Sequence, residues 1–208
     1  KMNQHYWEEK WRDSPQLPVN NYAITCQTVI KDLWQKHIFD IGCGSGSDAL
    51  YFASKGHYVT AMDLSKYSIE QLNISTKTQK LSIEVITGDI TSTNLPDNCF
   101  DVVYAHLSLH YFWDQDTTNI FKKIYRSLKT DGIFFVKCKS IDDELYWKGE
   151  FIETDMYRTD HARHFFSTDY THEKLMSAGF SEIEIVKSHS TYRKYESCFI
   201  EAIAKKDE

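Results

Sequence analysis

Residues 38–48 read IFDIGCGSGSD: an apolar run, a carboxylate at Asp40, then alternate glycines at Gly42, Gly44 and Gly46. Glycines let a backbone approach a ligand closely and adopt positive φ. A helix starting near Ser47 would aim its free amide donors at the same space. Three uses are open to such a loop: holding a phosphate, holding another nucleotide-like ligand, or only turning a strand into a helix. A pyrophosphate loop reads G-x-G-x-x-G, whereas the spacing here is G-x-G-x-G. Asp40 would repel a phosphate and attract a cation. The stretch favours a ligand that joins a nucleoside to positive charge.

Two more carboxylates, Asp63 and Asp89, end the next two apolar runs. Each alone reads equally well as a helix cap or a turn residue. Together, at three successive strand ends, they point to one ligand rim. His106 and His110 stand at i and i+4 in HLSLH and would share a face if that stretch were helical. A metal would need a third ligand at a telling spacing, and none is visible. HARH at 161–164 also lacks the H-x-x-x-H spacing of a helical zinc pair. No metal site is expected. His110 has the intrinsic pKa of a general base, and Tyr111 stands beside it; the alternative is that both pack at the core edge.

The elements that must position these residues follow from periodicity. His37–Ile41, Tyr58–Met62, Ile83–Thr87, Phe100–Ala105 and Gly132–Lys139 read as short buried strands. Helices are expected over Ser47–Lys55, from a Ser65 cap to Thr76, over Asp114–Leu128 and over Thr168–Ala178. Asn3–Arg12 and Thr25–Trp34 read as helices ahead of the first strand, with Pro15 and Pro18 between them; Cys26, Val29, Ile30 and Leu33 form the apolar side of the second. Ser181–Ser190 and Tyr195–Ala204 alternate as a final antiparallel pair. Alternating strands and helices imply a parallel sheet covered on both faces, with the ligand at the carboxyl ends of its strands.

FDIGCGSGSDALYFASKGHYVTAMDLS resembles the first motif region of the class I S-adenosylmethionine-dependent methyltransferases, and GDITSTNLPDNCFDVVYAHLSLHYF resembles their next motifs. The likeness runs from about His37 to Lys139. Within that family the chain is similar to the small single-domain methyltransferases of small molecules, the tellurite- and thiopurine-type enzymes. The resemblance implies a Rossmann-like α/β sandwich whose seven-stranded, mostly parallel sheet has an antiparallel last strand. It implies S-adenosylmethionine as cofactor, with S-adenosylhomocysteine as product. Asp40 and the backbone of Gly42, Cys43, Gly44 and Gly46 would hold the methionine part, and Asp63 the ribose hydroxyls. Leu64, Asp89 and Ile90 would surround the adenine, and Ala105 and His106 would border the methyl group. The nucleoside-and-cation ligand read from the loop fits the same cofactor.

Methyl transfer needs alignment, exclusion of water and, for some acceptors, removal of a proton; His110 and Tyr111 are the candidates for that step. The segment 140–167 is long for a connection and rich in aromatics. It reads either as a substrate wall or as a hairpin burying its rings on the sheet. Tyr146, Trp147, Arg158 and His164, with His161 and Arg163, are its candidate acceptor contacts. The YWEEKWR stretch reads as a cover over the cofactor, with Arg12 or Tyr6 reaching its carboxylate, or as a helix packed on the domain edge.

The chain has 208 residues, 41% hydrophobic and 26% charged, which suits one globular domain. It divides into an N-terminal helical cap (1–35), a cofactor-binding core (36–139), a substrate-side insertion (140–167) and a closing helix and strand pair (168–208). A net charge of −6 does not favour duplex nucleic acid. No N-P-P-[YF]-like tetrapeptide follows the fourth strand, where amino-directed nucleic acid methyltransferases carry one; YAHL stands there. No apolar run is long enough to span a bilayer and no signal peptide is visible. Five dispersed cysteines without a C-x-x-C pair argue against a disulfide or zinc framework and for a reducing cytoplasm. The expected partner is a small-molecule substrate, bound by a monomer or homodimer. The rival readings are a methyltransferase of protein or RNA, a non-catalytic cofactor-binding module, and a nicotinamide-dependent oxidoreductase, which the glycine spacing and Asp40 disfavour.

Overall fold

The structure, a computed structural model, describes residues 4–12, 14, 16–32, 34–192 and 195–207. Two helices, α1 (Gln4–Arg12) and α2 (Asn21–Val29), precede the sheet. Then come β1 (His37–Ile41), α3 (Ser47–Ser54), β2 (Tyr58–Asp63), α4 (Lys66–Gln79), β3 (Ile83–Thr87), β4 (Phe100–His106), α5 (Asp114–Ser127) and β5 (Leu128–Lys139). Three short strands follow, β6 (Glu150–Glu153), β7 (Met156–Arg158) and β8 (Ala162–His164), before α6 (Thr168–Ala178), β9 (Glu182–Tyr192) and β10 (Tyr195–Lys205).

The main sheet has the order β3-β2-β1-β4-β5-β10-β9. Strands β1 to β5 are parallel, and β10 runs antiparallel to both its neighbours. Both faces are covered, so the central strands are apolar on both sides. In β1, Ile38 joins one core layer with Val59, Ala61, Phe52 and Tyr104, while Phe39 and Ile41 join the other with Val103, Phe121 and Phe134. The chain goes outward from β1 to β3 and then returns to place β4 on the other side of β1. That reversal opens a crevice over the carboxyl ends of β1 and β4, where ligands bind in such sheets.

Local chemistry sets several boundaries. The Ser65 hydroxyl caps α4 by accepting from the Ser68 N–H, and Ser167 caps α6 by accepting from the Tyr170 N–H. Gly179 closes α6 in the left-handed region. The second helix lies earlier than its apolar spacing predicts. Its buried face is Tyr22, Ala23, Cys26 and Ile30, and Val29 is 49% exposed. The tie that starts it is a distant one: Asn20, its N-cap, is held by Asp48 of α3. Asn3, Pro15 and Leu33 lie outside the described residues. Strand β5 starts before Gly132 because Phe100 pairs with Leu128 and because Asp131 and Gly132 exchange backbone hydrogen bonds with Lys206.

HLSLH is not one helix. His106 ends β4, Leu107 takes a φ of 53°, and Leu109–Tyr111 forms a single 3-10 turn. The two histidines therefore do not share a face, and the i, i+4 reading is corrected. The segment 140–167 returns to its starting point: Ser140 bridges Phe166, and the Phe166 N–H donates to the Lys139 carbonyl at 2.7 Å. Between these ends stands the antiparallel sheet β6-β7-β8, which buries Met156, Tyr157, Phe165 and Phe166 and leaves Trp147 and Phe151 outside.

Gly46 is the N-cap of α3 with a φ of 80°, and a Cβ there would collide with the Leu72 side chain. Gly46→Ala combines backbone strain with that collision. It is expected to lower unfolding stability by about 2 kcal/mol, measured as a reduced urea midpoint at unchanged slope.

Candidate functional site

The glycine loop is folded back onto the end of β2. The Gly42 and Cys43 N–H groups both donate to the Met62 carbonyl, at 2.8 and 3.0 Å. Asp63 completes the tie: one carboxylate oxygen accepts from the Gly44 N–H at 2.8 Å and the other from the Ser65 N–H at 2.9 Å. Gly42, with a φ of 71°, lies so close to Ser108 beyond β4 that a Cβ would strike its side chain. Ser108 in turn donates its hydroxyl to the Ile41 carbonyl at 2.6 Å. The loop is thus pressed between β2 and the β4 exit.

Above it lies a cavity of about 350 Å³. Asp40, Gly42, Cys43, Gly44, Asp63, Leu64, Asp89, Ile90, His106 and Tyr111 all line it. Gly46, Ala105 and His110 do not: Gly46 starts α3, Ala105 is in the core, and His110 lies behind Tyr111. Because the rim follows the strand order, Asp89, Asp63, Asp40 and His106 succeed one another along the ends of β3, β2, β1 and β4. Met62, Leu64, Ile90, Leu109 and Phe112 give the cavity an apolar lining beside these polar groups.

The rim is electrostatically unbalanced. Asp40 is 2% exposed, and its Oδ2 has no hydrogen-bond partner. Burial pushes its carboxyl well above the usual carboxylate range, and the charges of Asp48 and Asp63 push it further. Burial also raises the Asp63 carboxyl, against the pull of the Ser65 and Gly44 amides. A cationic ligand group beside Asp40 would satisfy both the orphaned oxygen and the charge. The residues present therefore fit the ammonium of S-adenosylmethionine, and Asp63 fits a diol.

Burial holds the His106 imidazole down at about 4, so it is neutral at pH 7. Its ring stacks on Tyr22 and Tyr104, with centroids at 5.9 and 6.4 Å. His110 is 1% exposed, its Nδ1 is unpartnered, and burial lowers its pKa well below the ordinary value. Tyr111 faces the cavity with its phenol pushed up by burial, so it remains a hydrogen-bond donor.

None of the four acceptor candidates from the insertion lines the cavity. Tyr146 donates to Asp155 at 2.5 Å, Arg158 pairs with Glu150, and Trp147 is 72% exposed. His164 is enclosed by Phe166 and Tyr170. The insertion meets the site through His161 instead, which packs against Tyr6, Trp7 and Tyr111. Helix α1 does cover the site. Trp7, Lys10 and Trp11 line the cavity, whereas Arg12 lies over the Tyr67 ring and Tyr6 donates to Asp160.

Asp48 went unread in the sequence, although it occupies the first turn of α3. It is buried and accepts from the Asn20 N–H, the Asn20 side-chain amide and the Tyr104 hydroxyl, at 2.9, 2.9 and 2.8 Å. A carboxylate at a helix start reads as an ordinary partner of the helix dipole, so only its distant donors reveal this role.

Fold and rim together define an S-adenosylmethionine-type α/β domain. The family described as "Methyltransferase domain" matches residues 39–136. The Sterol 24-C-methyltransferase ERG6A of Gibberella zeae is 31% identical over 149 residues, 70% of this chain and 35% of that protein. The Phosphoethanolamine N-methyltransferase 1 of Zea mays is 32% identical over 106 residues, 50% of this chain and 21% of that protein. The chain thus spans about a third of the first relative's length and a fifth of the second's. A crystal structure of an S-adenosylmethionine-dependent methyltransferase from Methanosarcina mazei superposes with a TM-score of 0.76 at 20% identity, covering 92% of this chain and 99% of that one, which establishes the shared fold. The core of this chain is a class I S-adenosylmethionine-dependent methyltransferase domain.

A carboxyl whose folded-state pKa exceeds its unfolded value adds stability at low pH, and this is lost as pH rises from the unfolded value through the folded one. Asp40 has that sign. Asp40→Asn is therefore expected to raise the melting temperature of the ligand-free protein at pH 8, with the gain shrinking toward pH 4. A melting temperature lowered equally at both values would contradict the orphaned-carboxylate assignment.

Proposed function

We propose that the whole chain transfers the methyl group of S-adenosylmethionine to a small-molecule nucleophile by in-line displacement. The observation that carries the reading is the row Asp89, Asp63, Asp40 around one cavity, with an unpartnered oxygen on Asp40. In this reading Asp40 and the loop from Gly42 to Ser45 take the methionine part, and Gly46 serves them by turning the loop into α3. Asp63 accepts from both ribose hydroxyls, since each of its oxygens keeps a lone pair after accepting one backbone N–H. Leu64 and Ile90 flank the adenine, and Asp89 accepts from its amino group.

The bound cofactor supplies an already activated methyl group on sulfur. The chain's own residues then align the acceptor, exclude water and receive a proton. His106, at the β4 end of the rim and neutral at pH 7, is the proton acceptor in this reading. It replaces His110, which has no face on the cavity. The Tyr111 hydroxyl donates to the acceptor, and His110 supports the Tyr111 ring at a centroid distance of 4.2 Å.

A small acceptor suits the confined cavity, which α1 covers. The two relatives are named for a sterol carbon and for phosphoethanolamine nitrogen. Their shared core therefore goes with different acceptor atoms, which leaves selection to residues outside the rim. A cytoplasmic setting suits five unpaired cysteines. No helix among the described residues is long and apolar enough to cross a membrane.

Calorimetry should detect S-adenosylmethionine and S-adenosylhomocysteine but not NAD; binding of NAD alone would overturn the reading. A screen over thiols, amines, phenols, carboxylates and metalloid oxyanions, read by S-adenosylhomocysteine formation, identifies the acceptor. No product with any class, together with turnover on protein or RNA, would replace the small-molecule assignment. Asp63→Ala should lose most affinity for S-adenosylhomocysteine, about a hundredfold for two lost charge-assisted hydrogen bonds, with an unchanged circular dichroism spectrum.

A further inference from the structure

The cavity wall carries Asp40, Asp48, Asp63 and Asp89 but, among the described residues, one lysine and no arginine. That lysine is Lys10, in the last turn of α1. Its ammonium stands 4.5 Å from the Trp7 ring centroid and 5.7 Å from that of Trp11. Among the described residues it has no carboxylate within ion-pair distance. Lys10 is exposed as a residue, yet desolvation and the nearby Arg163 pull its pKa below the ordinary lysine value, against the charges of Asp160 and Asp63.

The helix that carries Lys10 is docked on both sides. Glu8 accepts from the Ser65 hydroxyl at 3.0 Å and from the Lys66 and Tyr67 N–H groups at 3.1 and 3.4 Å, at the start of α4. On the other side the Tyr6 hydroxyl donates to Asp160 at 3.2 Å. Between these anchors the Trp11 ring lies against Gly44, where it would meet any added Cβ. Lys10 is thereby held over the glycine loop. An ammonium in a cavity wall, with no carboxylate in ion-pair contact, can be completed by an anionic ligand group.

We propose that Lys10 binds the carboxylate of the cofactor's methionine part, so that α1 belongs to the cofactor site. The proposal rests on the cofactor reading above. The cofactor has one carboxylate, and the rim aspartates are matched to its cation and its hydrogen-bond donors. Lys10 is the complementary charge, on the helix that seals the loop assigned to the methionine part. Arg12, the residue expected for this task from the sequence, is turned to Tyr67 instead.

The test is calorimetry of the wild type, Lys10→Gln and Lys10→Arg with S-adenosylhomocysteine and with its decarboxylated analogue, which keeps the ammonium. Lys10→Gln should weaken S-adenosylhomocysteine about tenfold, as expected for one charge-assisted hydrogen bond. The same variant should hold the decarboxylated analogue within about twofold of wild type, which also reports an intact fold. Lys10→Arg should retain most of the affinity. Equal weakening of both ligands would make Lys10 a packing residue and overturn the proposal. Unchanged S-adenosylhomocysteine binding would overturn it too. Wild-type protein that bound neither ligand would instead overturn the underlying cofactor reading.

Discussion

A buried carboxylate oxygen without a hydrogen-bond donor is costly, and Asp40 Oδ2 is such an atom at the centre of this fold. Its position is dictated by β1, whose other residues are needed by the two core layers. Reversal of strand order beside β1 keeps the space above it open. Asp63 and Asp48 stand near enough to raise its charging cost further. The ligand-free state is thus strained electrostatically in the way a cationic ligand relieves. Activity sites commonly trade stability for binding in this manner.

The same carboxyl chemistry also organises the polypeptide where it is fully satisfied. Asp63 couples the glycine loop to the start of α4 through two backbone amides. Asp48 couples α3 to Asn20 and Tyr104, and so fixes where the N-terminal helices enter the domain. Glu8 then returns the favour from α1 to the start of α4. The insertion adds its own tie when Glu153 accepts from the Asp114 N–H at the start of α5, at 2.8 Å. Negative side chains at helix starts are locally favourable. At the starts of α2, α4 and α5 such a carboxylate comes from a distant part of the chain, Asp48, Glu8 and Glu153 in turn, so these helix starts are also tertiary contacts.

The parts of the site legible in the sequence were those encoded by consecutive residues. The glycine spacing, with aspartates ending three apolar runs, announced a ligand rim because strand ends and turns have local signatures. The elements of the main sheet, with most of their boundaries, follow from apolar runs and helical spacing for the same reason, whereas the order of the strands comes from the tertiary structure. The second helix was misplaced because Tyr22 and Ala23, not Val29, found the core. Residue type alone points to His110 as a base, but the 3-10 turn after Leu107 packs it against the Tyr111 ring and off the cavity wall. Composition points to Tyr146, Trp147, Arg158 and His164, but the insertion folds on itself, so that Tyr146, Arg158 and His164 find partners away from the cavity and Trp147 stays exposed.

The sequence by itself determined the class of fold and the rim that lines the cavity, since both rest on short-range pattern: short apolar runs, glycine spacing and a carboxylate at three successive strand ends. Tertiary structure decided which side chains close that rim. Lys10 and Trp11 come to lie over Gly44, and His161 beside Trp7 and Tyr111, through contacts that span from some thirty to more than a hundred and fifty residues. No local pattern encodes such contacts. They exist because α1 and the insertion each bury aromatic surface against the same opening.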